Sequence, residues 1–344
     1  MGIKNLSQLL KVHCKKSIKE RPISYYSNKK IAIDASMFIY QFLIAVRADG
    51  SALMGEDSIT SHLVGLFYRN IRLVDNGIIP VYVFDGKPPE IKMFELKKRT
   101  EKREKADEEY KKAELAEDKV LMEKHEKRRI KVNMDHVNEC KKLLDLMGMP
   151  YVTAPSEAEA FCAYLCKKKY VHGVATEDMD ALTFGSPILL RNFTAAQNKK
   201  LPIVEYNLES ILKELEINMN EFIDLCIILG CDYCDSLKNI GIKRGINLIK
   251  KYKTLEKILE YENVDKNFVD FKAAREMFKS LSEIDMEVKE FKIRWDEIII
   301  DDIKKFLVDD KKFDESRIVK GIEKFLNCRN KTKQTSLDGF FRKK

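Results

Sequence analysis

The chain has 344 residues, of which 44% are apolar and 34% are charged, and its formal net charge is +8. That length is enough for one large domain or two smaller ones, and the positive charge favours a polyanionic partner. Since no apolar run reaches the length of a membrane span and the N-terminus lacks a signal-peptide pattern, we expect a soluble intracellular protein with no membrane partner.

The first part of the chain predicts strands that alternate with helices. Residues 3–12 have the apolar spacing of a short amphipathic helix, and residues 30–33 form an apolar run typical of a buried strand. We predict a further helix over residues 58–76 and a second buried strand over residues 80–84. The Gly and Pro residues of 86–89 then break regular structure.

Residues 90–131 form a highly charged segment, in which 27 of 42 residues are charged, 15 basic and 12 acidic. One interpretation is a solvated helix with ion pairs at i,i+4 spacing, and the other is a mobile helical arm that contacts a polyanion. Lys92 and Arg99 are seven residues apart, so a helix would place them on one face.

The remaining segments continue the alternation. We predict an amphipathic helix over 134–147, strands near 151–152, 173–175, 188–190 and 203–206, and helices over 218–229, 243–252 and 254–260. Strands alternating with helices indicate an α/β domain with a mostly parallel central sheet flanked by helices.

Eight cysteines in a reducing compartment are expected to be thiols. A zinc site built from Cys162, Cys166, Cys231 and Cys234 is the alternative. Cys162 and Cys166 lie in an apolar helical stretch, and paired C-x₂-C spacing is absent, so we interpret the cysteines as buried thiols.

Acidic residues stand where predicted strands and helices end. In open α/β sheets the ligand crevice forms at the carboxyl ends of the strands, although a single acidic residue there is often only a helix cap. Several in matching positions favour one shared crevice. The candidates are Asp34, Asp85, Glu157, Glu159, Asp178, Asp180 and Asp232.

Such a cluster requires cations, because two carboxylates about 4 Å apart repel each other by roughly 4 kcal/mol at an effective dielectric constant of 20. Oxygen ligands favour Mg²⁺ or Mn²⁺ over zinc, and two such ions about 4 Å apart form a site for phosphodiester hydrolysis. The sequence contains no Walker A motif, no G-x-G-x-x-G fingerprint and no visible Ser-His-Asp arrangement.

The acidic residues lie in ordered motifs that resemble the flap endonuclease family of XPG-type 5′ nucleases. The matching segments are MGIKNL, IAIDASMFIYQFLIAVR, TSHLVGLFYRNIR, PVYVFDGKPPEIK, APSEAEAFCAYL, ATEDMDALTFGSP, LGCDYC and the tail QTSLDGFF. The resemblance covers residues 1 to about 260 and resumes at the tail. It implies a PIN-like 5′ nuclease fold with a charged helical arch and a helix–turn–helix DNA-binding arm.

The resemblance also implies an order of regions. These are an N-terminal nuclease region (1–103), the arch (104–132, starting near residue 90), an internal nuclease region with the arm (121–252), a C-terminal helical region (253–330) and a disordered tail (331–344). The tail carries the motif of eukaryotic members that binds the sliding clamp PCNA, over residues 334–341.

Two Mg²⁺ ions, for which Mn²⁺ can substitute, are the cofactors that the resemblance implies. Asp34, Asp85, Glu157 and Glu159 would hold one ion, and Asp178, Asp180 and Asp232 would hold the other. Lys92 and Arg99 match the basic gateway of the family and would polarise the scissile phosphate.

Further positions match residues with which the family contacts DNA. Tyr40 matches a residue that stacks on a base, and Gly2 matches the N-terminus beside the site. The other matches are Arg47, Thr60 (near the pocket for a one-nucleotide 3′ flap), Arg69, Glu157, Gly230, Asp232, Gly241, Lys243 and Arg244. A potassium ion is implied at the arm, where Asn239, Ile242 and Gly245 stand at positions that usually hold Gly, Pro and Ala.

The tail matches the clamp motif at Gln334, Leu337, Phe340 and Phe341. Two adjacent phenylalanines in a charged tail have no core to enter, so we interpret them as anchors for a pocket of the partner.

The expected function is therefore a structure-specific 5′ flap endonuclease with 5′-3′ exonuclease activity, which acts in Okazaki fragment maturation and long-patch base excision repair. We expect a monomer that binds branched DNA, in the nucleus and also in the mitochondrion. The alternatives are a related 5′ exonuclease or bubble-cutting repair nuclease, and a non-catalytic scaffold that binds DNA and the clamp.

Overall fold

The computed structural model describes residues 2–48, 54–55, 58–59, 61–195, 201–262, 271–283 and 293–331. The described strands are β1 (Ile18–Arg21), β2 (Lys30–Asp34), β3 (Met54–Gly55), β4 (Ser58–Ile59), β5 (Ile79–Phe84), β6 (Tyr151–Thr153), β7 (Gly173–Ala175), β8 (Ile188–Arg191) and β9 (Ile203–Asn207). The described α-helices are α1 (Leu6–His13), α2 (Ala35–Ala48), α3 (Ser61–Asp75), α4 (Met93–Leu115), α5 (Lys119–Arg129), α6 (Met134–Leu146), α7 (Ala158–Lys167), α8 (Asp180–Thr183), α9 (Leu208–Leu215), α10 (Met219–Leu229), α11 (Ile242–Tyr252), α12 (Leu255–Tyr261), α13 (Phe271–Glu283), α14 (Ile300–Lys304) and α15 (Glu315–Lys331). None of these helices has the length and apolar character needed to cross a bilayer.

Seven strands form one sheet in the order β1-β9-β8-β7-β2-β5-β6. Neighbours in the run from β8 to β6 are all parallel, whereas β9 pairs antiparallel with both β8 and β1. In this register Asp34, the last residue of β2, lies beside Val83, and Ile33 lies beside Ala175. The carboxyl ends of β2, β5 and β7 therefore meet at one edge, and the predicted mostly parallel sheet is confirmed.

Apolar side chains pack on both faces of the sheet. In β2, Ala32 belongs to one buried cluster, whereas Ile31 and Ile33 belong to the other, as the two-residue period of a strand requires. Helices α1, α7, α10 and α11 contribute to the first cluster, and α2, α3, α6 and α15 contribute to the second. Because both faces are covered, the central strands β2 and β5 are largely apolar along their length, and an acidic residue ends β2 and follows β5.

The helix predicted over residues 58–76 begins later than predicted. Ser58–Ile59 pairs antiparallel with Met54–Gly55, and α3 begins at Ser61. A two-residue strand is too short for its apolar pattern to be distinguished from the start of a helix.

The charged segment 90–131 contains two α-helices, which pack against each other as a hairpin. The chain turns at Glu117, whose φ of 53° lies in the left-handed region, and Asp118 caps α5 by accepting a backbone N–H bond at 3.0 Å. An ion pair of 2.6 Å between Arg129 and Asp107 joins the two helices. The turn contains neither Gly nor Pro, so no breaker residue marks its position in the sequence.

All eight cysteines are thiols, with no disulfide among them. Six of them are buried as predicted, including Cys162 and Cys166 in α7. The prediction is wrong for Cys231 and Cys234, which are half-buried because they lie in the loop after α10 and not in a core helix.

Candidate active site

The first acidic residues of the site stand at the ends of the central strands. Asp34 ends β2 and is buried, and it accepts hydrogen bonds from the Met37 N–H at 3.0 Å and from the Thr176 hydroxyl at 3.1 Å. Asp85 directly follows β5, the neighbour of β2, and accepts the backbone N–H of Ala158 at 2.9 Å. These contacts bring the carboxyl ends of β2, β5 and β7 and the start of α7 together around Asp34 and Asp85.

Helix α7 adds two glutamates at this edge. Its N-cap residue is Glu157, which is buried, and Glu159 lies in its first turn. The N-terminus of a helix favours negative charge, because its first backbone N–H groups have no partner within the helix. The helix therefore presents both carboxylates beside the residues at the strand ends.

A third group of carboxylates surrounds the N-terminal segment. Asp178 and Asp180 follow β7 and are buried, and the Asp180 N–H donates to Asp178 Oδ1 at 3.1 Å. A Cβ atom on Gly2 would lie 1.8 Å from Asp178 Oδ1 and 2.2 Å from Asp180 Oδ1. Those two oxygens are therefore at most 4.0 Å apart. Only a glycine, with no side chain, fits between them.

The loop after α10 supplies the seventh carboxylate, Asp232. The Lys4 N–H donates to the carbonyl oxygen of Gly230 at 2.9 Å, which ties this loop to the N-terminal segment. Gly230 has a φ of 100°, and a Cβ there would meet Ser236 at 2.9 Å, so a glycine is required at this turn.

Two cations lie against the acidic cluster. Lys92 Nζ is 2.7 Å from Glu157 Oε1 and 3.7 Å from Asp232 Oδ2. Arg99 Nη2 is 2.5 Å from the same Asp232 oxygen, and Arg99 Nε is 3.2 Å from Glu95. Both cations therefore reach Asp232, and the start of α4 is held over the carboxyl edge of the sheet.

Burial and mutual repulsion oppose ionisation of these carboxylates. Burial, followed by the charge of Asp85, raises the pKa of Asp34 to about 7. Burial also raises the pKa of Asp180 well above its usual value, and Asp178 and Asp232 raise it further. For Glu159, burial and then Asp34 raise the pKa in the same direction. The cluster therefore stabilises a bound cation and is unfavourable without one.

The donor set fits a hard divalent ion. All seven acidic groups offer oxygen atoms, and Asp180 Oδ1 is buried with no hydrogen-bond partner among the described residues. In the part of the chain that the structure describes, no three acidic, histidine or cysteine side chains are already spaced as ligands of one ion. The Lys92 ammonium instead lies between two of the carboxylates. The assignment of individual residues to two ions therefore stays a prediction.

Two supporting residues were missed in the sequence. The Tyr233 hydroxyl donates to Glu157 Oε2, and burial and then Glu157 raise the pKa of this phenol. The hydroxyl of Thr176, which directly follows β7, donates to Asp34. Each of them contacts an acidic residue more than 70 positions away, so no local pattern could have revealed the contact.

The predicted DNA-binding residues outside the acidic cluster occupy several different places. Tyr40 is half-buried in α2. The Arg69 guanidinium lies 4.9 Å from the centroid of the Phe42 ring, and its Nη1 is buried without a hydrogen-bond partner in the part that the structure describes. Burial, followed by Arg72, lowers the pKa of Arg69 to about 10.

Some residues predicted to contact DNA or the clamp have side chains outside the part of the chain that the structure describes. Arg47 belongs to α2, but its side chain lies outside the described part. Thr60 and the clamp-motif residues Gln334, Leu337, Phe340 and Phe341 also lie outside the described residues.

The segment predicted as the helix–turn–helix arm contains a turn directly before α11. Asn239 has a φ of 61°, in the left-handed region that asparagine tolerates better than most residues. Gly241 is the N-cap of α11, and a Cβ there would meet nothing within 4 Å. Lys243 and Arg244 in the first turn of α11 are exposed, and Arg244 forms an ion pair of 3.2 Å with Glu262. An exposed basic helix N-terminus of this kind suits a phosphate group.

The contact at Gly2 gives a testable expectation. Gly2→Ala should lower the cleavage rate by about 10²-fold, because the new Cβ would displace the oxygens of Asp178 and Asp180 by an ångström or more. The control is Gly185→Ala. Gly185 also has a positive φ, of 84°, but its Cβ would meet only the Lys167 side chain, at 3.6 Å. Equal rates for the two variants would contradict the placement of Gly2.

Two family models match the chain. The XPG N-terminal domain matches residues 1–106, and the XPG I-region matches residues 148–232. The two segments contain all seven acidic residues and both basic residues of the site. The fold and the site thus define a DNA nuclease of the XPG type.

Full-length similarity narrows the class. Flap endonuclease 1 of Encephalitozoon cuniculi (strain GB-M1) is 58% identical over 344 residues, 99% of this chain and 99% of that protein. The solved structure of flap endonuclease-1 from Methanococcus jannaschii is similar with a TM-score of 0.70 and 32% identity, over 91% of this chain and 96% of that one. The catalytic core of Rad2 in complex with DNA substrate is similar with a TM-score of 0.65 and 25% identity, over 94% of this chain and 98% of that one. The chain belongs to the flap endonuclease family.

The predicted 5′ nuclease fold is therefore confirmed, and the protein is a structure-specific flap endonuclease. It is a DNA nuclease of a metal-dependent family.

Proposed function

We propose that this flap endonuclease hydrolyses one phosphodiester with two Mg²⁺ ions at the acidic edge of the sheet, where Mn²⁺ can substitute. The observation that carries the proposal is the convergence of carboxylates from β2, β5, α7, the β7 loop and the α10 loop on one edge. Bound there, the two ions would supply a hydroxide nucleophile and stabilise the leaving oxygen. Asp34, Asp85, Glu157 and Glu159 would hold one ion, and Asp178, Asp180 and Asp232 would hold the other.

The chain's own residues then position the DNA. Lys92 and Arg99 lie against the carboxylates and can offer N–H donors to oxygens of the scissile phosphate. Tyr40 would stack on a base beside the cut. Arg47, Thr60, Arg69 and Gly230 would contact the strands around the junction, while Gly241, Lys243 and Arg244 would hold the duplex, with a potassium ion at the turn before α11.

Similarity to flap endonuclease 1 proteins supports the wider role. We place the activity in Okazaki fragment maturation and long-patch base excision repair, with 5′-3′ exonuclease activity in addition. The protein would act as a monomer in the nucleus and also in the mitochondrion.

The test of this function uses one end-labelled strand in three contexts: a double flap, a bubble and a nicked duplex. We expect Mg²⁺-dependent cleavage at the flap junction, weaker trimming at the nick and little cutting of the bubble. Preferred cutting of the bubble would favour a repair nuclease, and no cutting of any substrate with Mg²⁺ would favour a non-catalytic scaffold.

We also propose that the tail binds the sliding clamp PCNA through Gln334, Leu337, Phe340 and Phe341. Replacing Phe340 and Phe341 together by Ala should weaken clamp binding at least about tenfold, because such buried aromatic anchors contribute 2 kcal/mol or more. Cleavage without the clamp should stay unchanged. Binding is measured by calorimetry with purified clamp, and equal affinity of the two forms would remove the tail assignment.

A further inference from the structure

Phe94, in the first turn of α4, is exposed to an extent unusual for phenylalanine. Its relative exposure is 65%, and every other phenylalanine in the described part of the chain is buried or half-buried. Phenylalanine is among the residues most often found inside folded proteins. A lone exposed apolar residue needs no explanation by itself, so the surroundings of the ring decide whether it has a role.

The ring of Phe94 lies beside the candidate active site. Lys98, one turn further along α4, places its Nζ 4.2 Å from the ring centroid. The same Nζ is 3.0 Å from the carboxylate of Asp235, three residues after Asp232. Phe94 also follows Lys92 by two positions, and Lys92 contacts Glu157 and Asp232. The ring is thus held over the loop that carries one of the acidic residues.

Packing within the described part of the chain does not account for this ring. Where α4 packs against α5, the buried residues of α4 are Ala106 and Ala113, three and five turns further along the helix. Phe94 belongs to neither of the two buried clusters of the described chain. The ring instead contacts a cation, the Lys98 ammonium, which also pairs with Asp235.

The chemistry of this position suits single-stranded DNA. Proteins bind single strands by combining basic groups along the backbone with aromatic rings on which bases stack. Lys97, Lys98 and Arg99 are consecutive basic residues on α4, and Phe94 lies one turn before Lys98. A strand whose phosphate lies at Lys92 and Arg99 would bring its neighbouring unpaired base to this ring.

We propose that Phe94 is a stacking platform for a nucleobase of the single-stranded 5′ flap next to the cut, and that Lys98 attracts the adjoining phosphate. The proposal rests on the proposed function, because it takes Lys92 and Arg99 as the residues beside the scissile phosphate. Phe94 positions the flap and takes no part in the chemical step.

The first test is kinetic. Phe94→Ala should raise the KM for a double-flap substrate at least about fivefold with kcat nearly unchanged, and Phe94→Tyr should restore the wild-type KM. On a nicked duplex without a flap, Phe94→Ala should behave as the wild type. The control is Tyr170→Ala, which removes an exposed aromatic residue before β7, at the opposite end of the sheet. Phe94→Ala removes no core contact, so an unchanged melting temperature is expected.

The second test reads stacking directly. A 2-aminopurine base placed first in the flap should lose fluorescence on binding to the wild-type protein and to Phe94→Tyr in EDTA, but not on binding to Phe94→Ala. An unchanged KM with unchanged quenching in Phe94→Ala would overturn the proposal, as would an equal rise in KM on the nicked duplex. Failure of the proposed function is distinct, because the wild-type protein would then fail to cut the flap with Mg²⁺.

Discussion

Asp180→Asn is expected to reduce Mg²⁺-dependent flap cleavage at least about 10³-fold while flap DNA still binds. Stabilisation of transition-state charge by a divalent ion is worth several kcal/mol, and each 1.36 kcal/mol changes the rate tenfold. Asparagine keeps the shape of the side chain but removes the negative charge at Asp180 Oδ1, which is buried and has no hydrogen-bond partner in the described part of the chain. Single-turnover cleavage and a binding assay in EDTA separate the two effects.

The same substitution should stabilise the metal-free protein, seen as a higher free energy of unfolding at neutral pH. Burial, Asp178 and Asp232 raise the pKa of Asp180 in the folded state, so its charged form is disfavoured there. Asp180 therefore lowers the free energy of unfolding once the pH rises above about 3.9, the pKa of an aspartate in the unfolded chain. The difference between the two proteins should therefore vanish below about pH 4.

Urea unfolding in EDTA measures this stability, with Asp309→Asn, an exposed aspartate, as the matched control. The control should change the free energy of unfolding by less than about 0.5 kcal/mol. If Asp180→Asn lost activity and stability together, the residue would be a structural element of the fold and not a functional carboxylate.

Lys92→Met should lower the kcat for flap cleavage about 10²–10³-fold, which is the second large effect that we expect. Lys92 is the cation that lies between Glu157 and Asp232, and without it a phosphate would face uncompensated negative charge. Burial lowers the pKa of Lys92, but Glu159 and Glu157 outweigh that effect and raise it, so the side chain stays charged throughout the working pH range.

A second readout distinguishes this role from misfolding. Without the Lys92 charge, the negative charge of the carboxylates is less compensated, and they should bind Mg²⁺ more tightly. The Mg²⁺ concentration for half-maximal rate should therefore fall. Lys213→Met, which removes an exposed lysine paired with Glu209 on α9, serves as the control and should match the wild type. A rise in the Mg²⁺ requirement of Lys92→Met, or an unchanged kcat, would contradict the assignment.

The parallel sheet and most of the acidic set could be predicted because the signals are local. Asp34 and Asp85 each directly end or follow an apolar run that is buried on both faces of the sheet. Because such runs are short, their ends can be identified in the sequence. Parallel strands bring those ends to one edge of the sheet. The convergence at the site follows from topology and from the positions of the strand ends.

The remaining features depend on contacts that a local pattern does not encode. The turn at Glu117 separates two helices of similar charged composition, and the chain around it has no breaker residue. Residues 261–330 carry little recognisable motif, although α15 packs on α3 so closely that a Cβ on Gly321 would meet Phe67 at 2.5 Å. Tyr233 is positioned by the fold of the α10 loop onto α7, which only tertiary structure reveals.

The most direct test of the central claim is a crystal structure with flap DNA and Mn²⁺, with the ions located by their anomalous scattering. We predict two ions about 4 Å apart, one beside Asp34 and Glu159 and the other beside Asp178, Asp180 and Asp232. The scissile phosphate should lie between them and the side chains of Lys92 and Arg99. A phosphate bound elsewhere, or a cluster that holds no ion while DNA is bound, would contradict the account.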